Sequence, residues 1–286
     1  MKNWGAVGRG LIVVLTIGLV AAAADAQKIA FKYKTIDVAG AQSTAIFAIN
    51  NRGAMVGSYM DSSGVRHGFL LSKGKVINID HPNGMNTYCF GINNAGAIVG
   101  YYTTSSFSAQ GFLYAKGKFK NLGPAGSTSS QAIGINSNGD INGNFGDSKG
   151  SHGFLLKGGK YTTLDVPNSM GTLGGGINDA DVMTEEWIDS GFNVESSLYK
   201  NRKYTTINIP GETDSYVSGI NNLGDIVYSW ESAEDYGGAL RHNGRIYMFR
   251  DPKGDRTFGY GINDHNTIVG AYTDSNGVSN GFLATY

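Results

Sequence analysis

Residues 88–102 read Tyr-Cys-Phe-Gly-Ile-Asn-Asn-Ala-Gly-Ala-Ile-Val-Gly-Tyr-Tyr. An apolar run ends in Asn-Asn-Ala-Gly, and a second apolar run follows. Two such runs joined by a short glycine-containing turn are a hairpin signal. The central Gly-Ile-Asn triplet, or a close variant, returns along the whole chain. Its isoleucines are Ile49, Ile92, Ile135, Ile177, Ile220 and Ile262, separated by 43, 43, 42, 43 and 42 residues. All five prolines (Pro82, Pro124, Pro167, Pro210, Pro252) fall at one position of this unit. A period of this length marks supersecondary units that bury a core only by stacking on one another.

The rest of the unit supplies two more strands. After the polar loop 103–110, Gly111-Phe112-Leu113-Tyr114 reads as a third strand. Lys116-Gly117 turns the chain, and Lys118-Phe119-Lys120-Asn121-Leu122 alternates as a fourth. Four short antiparallel strands in one period predict an all-β six-bladed β-propeller rather than a parallel β-helix, whose rungs are shorter and poorer in hairpins. The last unit stops at Tyr286, without a fourth strand. The segment Lys32-Tyr33-Lys34-Thr35-Ile36-Asp37-Val38 matches fourth strands elsewhere, such as Lys160-Tyr161-Thr162-Thr163-Leu164-Asp165-Val166. It is therefore expected to complete the last blade and close the ring, removing open sheet edges.

Lys2 and Arg9 precede an apolar run, Leu11 to Ala24, that is too short to span a bilayer. Ala24-Asp25-Ala26 follows as a signal-peptidase site. The expectation is a signal peptide over 1–26 and one propeller domain over 27–286, periplasmic or extracellular, monomeric, with no membrane span after processing. The chain carries 23 basic and 23 acidic residues. This balance lacks the basic footprint that nucleic acid requires. The single cysteine, Cys89, precludes an internal disulfide and falls in an expected inner strand as a buried thiol.

The unit resembles the extracellular repeat family named for a His-Ala-Phe motif. The matching stretches are His67-Gly68-Phe69-Leu70, His152-Gly153-Phe154-Leu155, the Gly-Ile-Asn-Asn-x-Gly turns at 91–96 and 219–224, and Ile98-Val99-Gly100. Gly stands where the family name implies Ala, and blades 4 and 5 depart further, with Ser196-Ser197-Leu198 and Gly237-Gly238-Ala239. The resemblance covers essentially all of 32–286. It implies export and a repeat fold, and it brings no catalytic residues.

The repeat separates scaffold residues from exceptions. Gly146-Asp147-Ser148-Lys149-Gly150 has the form of a hydrolase nucleophile elbow, but that motif requires a strand-to-helix turn. Asp-Ser-x-Gly recurs at 61–64 and 274–277 and reads as a turn between second and third strands. Asn136, Asn138 and Asp140 have the spacing of a calcium loop without its closing Glu. Asn136 aligns with Asn50, Asn93, Asn178, Asn221 and Asn263, and so reads as a turn residue. His67 and His152 occupy one template position two blades apart and read as packing or hydrogen-bonding residues. No metal or cofactor motif appears.

Two residues break the template. Glu185 and Tyr228 stand where other blades have Gly57, Gly100, Gly143 and Gly270. Around them lie Glu186, Trp187, Asp189, Glu195, Trp230, Glu231, Glu234, Asp235 and Tyr236. Trp187 and Trp230 align with Tyr59, Tyr102, Phe145 and Tyr272, an aromatic position suited to inter-blade packing or ligand stacking. The acids read either as a solvated rim or as a ligand pocket in blades 4 and 5. The functional expectation is a binding module for a glycan or protein partner, using the face that carries the second-to-third-strand loops. One alternative is a glycoside hydrolase or polysaccharide lyase with Glu185 and Glu231 as its carboxylates. A structural role in an envelope or matrix is another.

Overall fold

The computed structural model describes residues 29–212, 214–232 and 236–286. The expected signal peptide, 1–26, lies outside them. Six four-stranded antiparallel sheets form the six blades of a propeller, each built from consecutive strands except the last. The innermost strands are Ser43–Ile49, Asn86–Ile92, Ser129–Ile135, Gly171–Ile177, Asp214–Ile220 and Arg256–Ile262. Each contacts the next, and the sixth contacts the first, so the ring is closed around an axis. The last blade takes its fourth strand from the other end of the chain. Lys32–Ile36 pairs with Ser279–Thr285, from Lys32 opposite Thr285 to Ile36 opposite Gly281. The closure expected from the truncated last unit is therefore present.

Each residue of the recurring triplet has its own physical reason. The glycine permits close approach between blades. A Cβ on Gly91 would lie 2.6 Å from the Ile133 carbonyl oxygen, on Gly134 2.7 Å from that of Gly175, and on Gly219 2.8 Å from that of Tyr260. The isoleucine is buried in a girdle around the axis. The asparagine does two jobs. Its Oδ1 accepts the backbone N–H groups two and four residues on, as Asn93 does from Ala95 and Ala97, which closes the turn. Its Nδ2 donates to the backbone carbonyl of the equivalent asparagine in the next blade. Asn50 donates to Asn93, Asn93 to Asn136, Asn136 to Asn178, Asn178 to Asn221, Asn221 to Asn263, and Asn263 back to Asn50, at 3.0–3.2 Å. The turn role was legible in the sequence, but the closed inter-blade ring was not. Three residues after the asparagine, Gly53, Gly96, Gly139 or Gly224 has positive φ. Asp181 and Asn266 hold the same position at 55° and 56°, as the left-handed preference of these residues allows.

The core sits between neighbouring sheets. A phenylalanine of the third strand in blades 1, 2, 3 and 6 (Phe69, Phe112, Phe154, Phe282) is fully buried, packed with valines and isoleucines of its own and adjacent blades. Cys89 belongs to this layer, and burial pushes its thiol pKa far up, leaving it an inert apolar filler. His67 and His152 tie the loop before the third strand to the outer edge of the blade. His67 reaches Asp80 at 2.9 Å and Asp61 at 3.2 Å, and His152 reaches Asp165 at 3.1 Å and Asp147 at 3.3 Å.

Candidate functional site

Every inner strand carries one extra residue relative to its neighbour just before the triplet. Such a bulge re-aims a side chain, and here it points into the axis. The bulge positions are Phe47, Phe90, Ile133, Gly175, Ser218 and Tyr260, and all six line an axial cavity of about 330 Å³. The isoleucine girdle closes its narrow end. Beyond the girdle, the asparagine ring and the residues after it form a second, polar hollow of about 80 Å³. From the girdle, the cavity walls follow the inner strands back to Gln131 and Leu173, toward the face that carries the blade crossovers and the second-to-third-strand loops.

The two sides of this cavity differ. On one side an unbroken series of rings crosses blades 2, 1 and 6. Tyr88 lies 4.7 Å from Tyr101, Tyr101 5.6 Å from Phe90, Phe90 4.3 Å from Phe47, Phe47 5.3 Å from Tyr260, and Tyr260 6.3 Å from Phe258. On the other side, blades 3 to 5 present Gln131, Asn144, Glu186 and Ser218 beside Ile133, Leu173, Val217 and the small residues Gly174–Gly176. Aromatic area facing convergent polar groups is the usual character of a small-molecule site.

The structure separates the acids and aromatics that the sequence grouped in blades 4 and 5. Glu185 and Tyr228 are each 0% exposed, which removes them from the expected ligand face. Their departure from the template is a packing substitution. Wherever the second strand has glycine at this template position, its direct cross-strand partner is phenylalanine: Gly57 with Phe69, Gly100 with Phe112, Gly143 with Phe154, and Gly270 with Phe282. In blade 4 that pair is Glu185 with Ser197, and in blade 5 it is Tyr228 with Ala239. The bulk has moved from the third strand to the second, so the interior stays filled. Glu185 also loses its role as a catalytic candidate opposite Glu231, because a carboxyl sealed between sheets cannot meet substrate.

Trp230 packs into the core of blade 5 and its Nε1 donates to the Gly238 carbonyl at 3.3 Å. Trp187 is half-buried at the same template position, and its Nε1 has no hydrogen-bond partner among the described residues. Asp189 closes its own loop, accepting from the N–H groups of Gly191 (2.7 Å) and Asn193 (2.9 Å). Glu231 lies at the rim, where its hydrogen bond raises the pKa of Tyr236. It also bonds Tyr216, whose pKa is pushed to about 12 by burial first, then by Asp214, Glu231 and Glu186. The guanidinium carbon of Arg256 sits 4.2 Å from the centroid of Tyr236, close enough for cation–π attraction. Glu234 and Asp235 lie outside the described residues. Glu186 alone of the nominated residues lines the axial cavity. The bulge residues were missed, although their variation (Phe, Phe, Ile, Gly, Ser, Tyr) two residues before an invariant isoleucine was a readable signal.

Burial dominates the electrostatics of this sector. It pushes the Glu186 carboxyl up to about 8 and holds Glu185 well above the usual carboxylate range. Asn142 lowers the Glu185 pKa, and neighbouring Glu186 raises it. Both groups ionise more readily in the unfolded chain. The unfolded state therefore binds fewer protons between about pH 4.5 and 8, and stability falls as pH rises through that window. The loop aspartates Asp61, Asp147, Asp189 and Asp274 are shifted downward by hydrogen bonds with backbone and side-chain donors, and act oppositely only in stronger acid. We expect the melting temperature to drop by roughly 5 °C or more between pH 5.5 and 8.5, given how small domains convert free energy to Tm. Glu185→Gln should flatten that slope in thermal melts. A profile that rises with pH would contradict the burial of both carboxyls.

No family model matches the chain, and a comparison with curated proteins finds no match. Among solved structures, it is similar in fold to the Aleuria aurantia lectin in complex with Fucalpha1-6GlcNAc (12% identity, 87% of this chain and 93% of that one, TM-score 0.52). It is similar also to the SapL1 lectin in complex with alpha methyl fucoside (10% identity, 82% and 90%, TM-score 0.56) and to TolB from Acinetobacter baumannii (9% identity, 85% and 64%, TM-score 0.56). At these identities the likeness establishes a shared propeller architecture and nothing finer.

Proposed function

We propose that this protein is an exported glycan-binding module that takes a terminal sugar unit in its axial cavity, approached from the face of the crossovers and second-to-third-strand loops. The observation that carries this reading is the two-sided cavity. Sugars have apolar ring faces that pack on aromatic side chains, and hydroxyls that need hydrogen-bonding partners. Phe47, Phe90 and Tyr260 supply the first on one wall, and Gln131, Asn144 and Glu186 the second on the other. That two similar folds are lectins supports the choice of ligand class, as the repeat resemblance supports export. A hydrolytic reading is weaker, because glycosidases generally use two carboxylates flanking the bond, and Glu186 is the one carboxylate lining the cavity among the described residues.

A glycan array followed by titration calorimetry tests the proposal. Ile133→Trp should fill the cavity, since three other blades already place an aromatic ring at that bulge position. Affinity for any glycan found should fall at least tenfold while the melting temperature is unchanged. Undiminished binding by this variant would move the site off the axis.

A further inference from the structure

Glu186 has a feature that a site for neutral sugars does not require. Its carboxyl lines the cavity, yet no hydrogen bond or ion pair joins it to any described residue. No Lys, Arg or His lines the cavity among the described residues. The other titratable groups near it are Tyr216 on the inner strand of blade 5, Tyr260 on that of blade 6, and Glu185, adjacent in its own strand but on the opposite face of the sheet. Asp214 and Glu231 lie beyond Tyr216. None of these carries positive charge. A carboxyl half-buried in the cavity wall is harder to ionise than one in water unless a counter-charge joins it. Gln131, Asn144 and Ser218 leave a polar wall around it, and the aromatic wall opposite lowers the dielectric without supplying a cation.

We infer that the axial cavity selects ligands bearing an amine, with Glu186 as the counter-ion that receives the ammonium group, the natural ligand class being glycans with unacetylated amino sugars. This rests on the axial site proposed above, and its consequences differ from those of sugar binding as such. The ion pair forms by transfer of no covalent group. The protonated carboxyl of the free protein gives up its proton to solvent, and the ammonium takes its place. Neutral sugars would leave that proton where it is.

The experiment is calorimetric titration of the purified protein at about pH 6.5 with three probes: a glucosamine trimer, an N-acetylglucosamine trimer and cyclohexylamine, a six-membered ring with an amine and no hydroxyls. Each titration is run in two buffers of different ionisation enthalpy, to count protons, and repeated with Glu186→Gln. We expect the glucosamine trimer to bind at least tenfold more tightly than its acetylated counterpart, with close to one proton released per ligand. Both effects should disappear in Glu186→Gln, whose melting temperature should not fall. Equal affinity for the two trimers, unaffected by Glu186→Gln, would overturn the amine selectivity and leave the glycan site standing. Glu186-dependent binding of cyclohexylamine with neither trimer bound would sustain the amine selectivity and overturn the glycan reading. No binding of any probe would overturn both.

Discussion

Removing residues 27–38 should leave no folded monomer. This segment supplies the outer strand of the last blade, and its five paired residues cover the edge of Ser279–Thr285. Its side chains reach two cores. Ile29, Phe31 and Tyr33 pack against the group containing Phe249 and Phe282, while Ile36 and Val38 pack against that containing Ile46, Phe69 and Val269. Polar contacts add to this. The Gly281 N–H donates to Asp37 Oδ1 at 3.2 Å, and the Thr35 hydroxyl lies 3.1 Å from that of Tyr272. Burying an apolar side chain contributes about 1.5–3 kcal/mol. Five of them, even half-buried, match a large share of the about 5–15 kcal/mol by which a domain is stable. The deletion would also expose a seven-residue strand edge, a template for association. Gel filtration should show aggregates or oligomers, and calorimetry no cooperative melt. A peptide of residues 29–38 added in trans should restore a monomeric, cooperatively melting species. Unchanged elution and melting after deletion would refute the closure as the source of stability.

The second large effect concerns the exchanged pair in blade 4. Ser197→Phe alone forces a ring against Glu185 in an already filled interior, an overpacking expected to cost about 1–3 kcal/mol. Glu185→Gly alone empties the site and places glycine in a strand, and a cavity of that kind costs about 2–5 kcal/mol. Together the changes rebuild the Gly–Phe pair seen at Gly57–Phe69, Gly100–Phe112, Gly143–Phe154 and Gly270–Phe282. The double variant should be more stable than either single variant. At pH 8 it should equal or exceed the parent, because it removes a fully buried carboxyl that burial holds well above the usual carboxylate range. A denaturant double-mutant cycle would read a coupling of about 2 kcal/mol or more. Simple additivity would show that the two positions do not share one packing site.

Much of the fold was legible because its signals are local. The spacing of Ile49, Ile92, Ile135, Ile177, Ile220 and Ile262 sets the number of blades. Gly96 and its equivalents require a turn, and the likeness of 32–38 to other fourth strands gives the closure. Each follows from backbone preference or hydrophobic alternation within a few residues. Little of the site was legible. Glu185 and Tyr228 broke the repeat and so attracted a functional reading, but the reason for the break lay across the sheet, at Ser197 and Ala239. Compensation of volume between paired strands cannot be seen in either strand alone.

The sequence by itself determined the repeating hairpins, their number and the latch between the two ends of the sheet, since these depend on periodicity and turn chemistry. Only the tertiary structure decided which side chains meet at the axis. The extra residue in each inner strand turns Phe47, Phe90 and Tyr260 inward from blades far apart in the chain. Closing the ring brings them opposite Glu186 and seals Glu185 one residue away. Alternation along a strand turns adjacent residues to opposite faces, so two neighbouring carboxyls came to lie on different sides of one sheet: one in the cavity, the other between the blades.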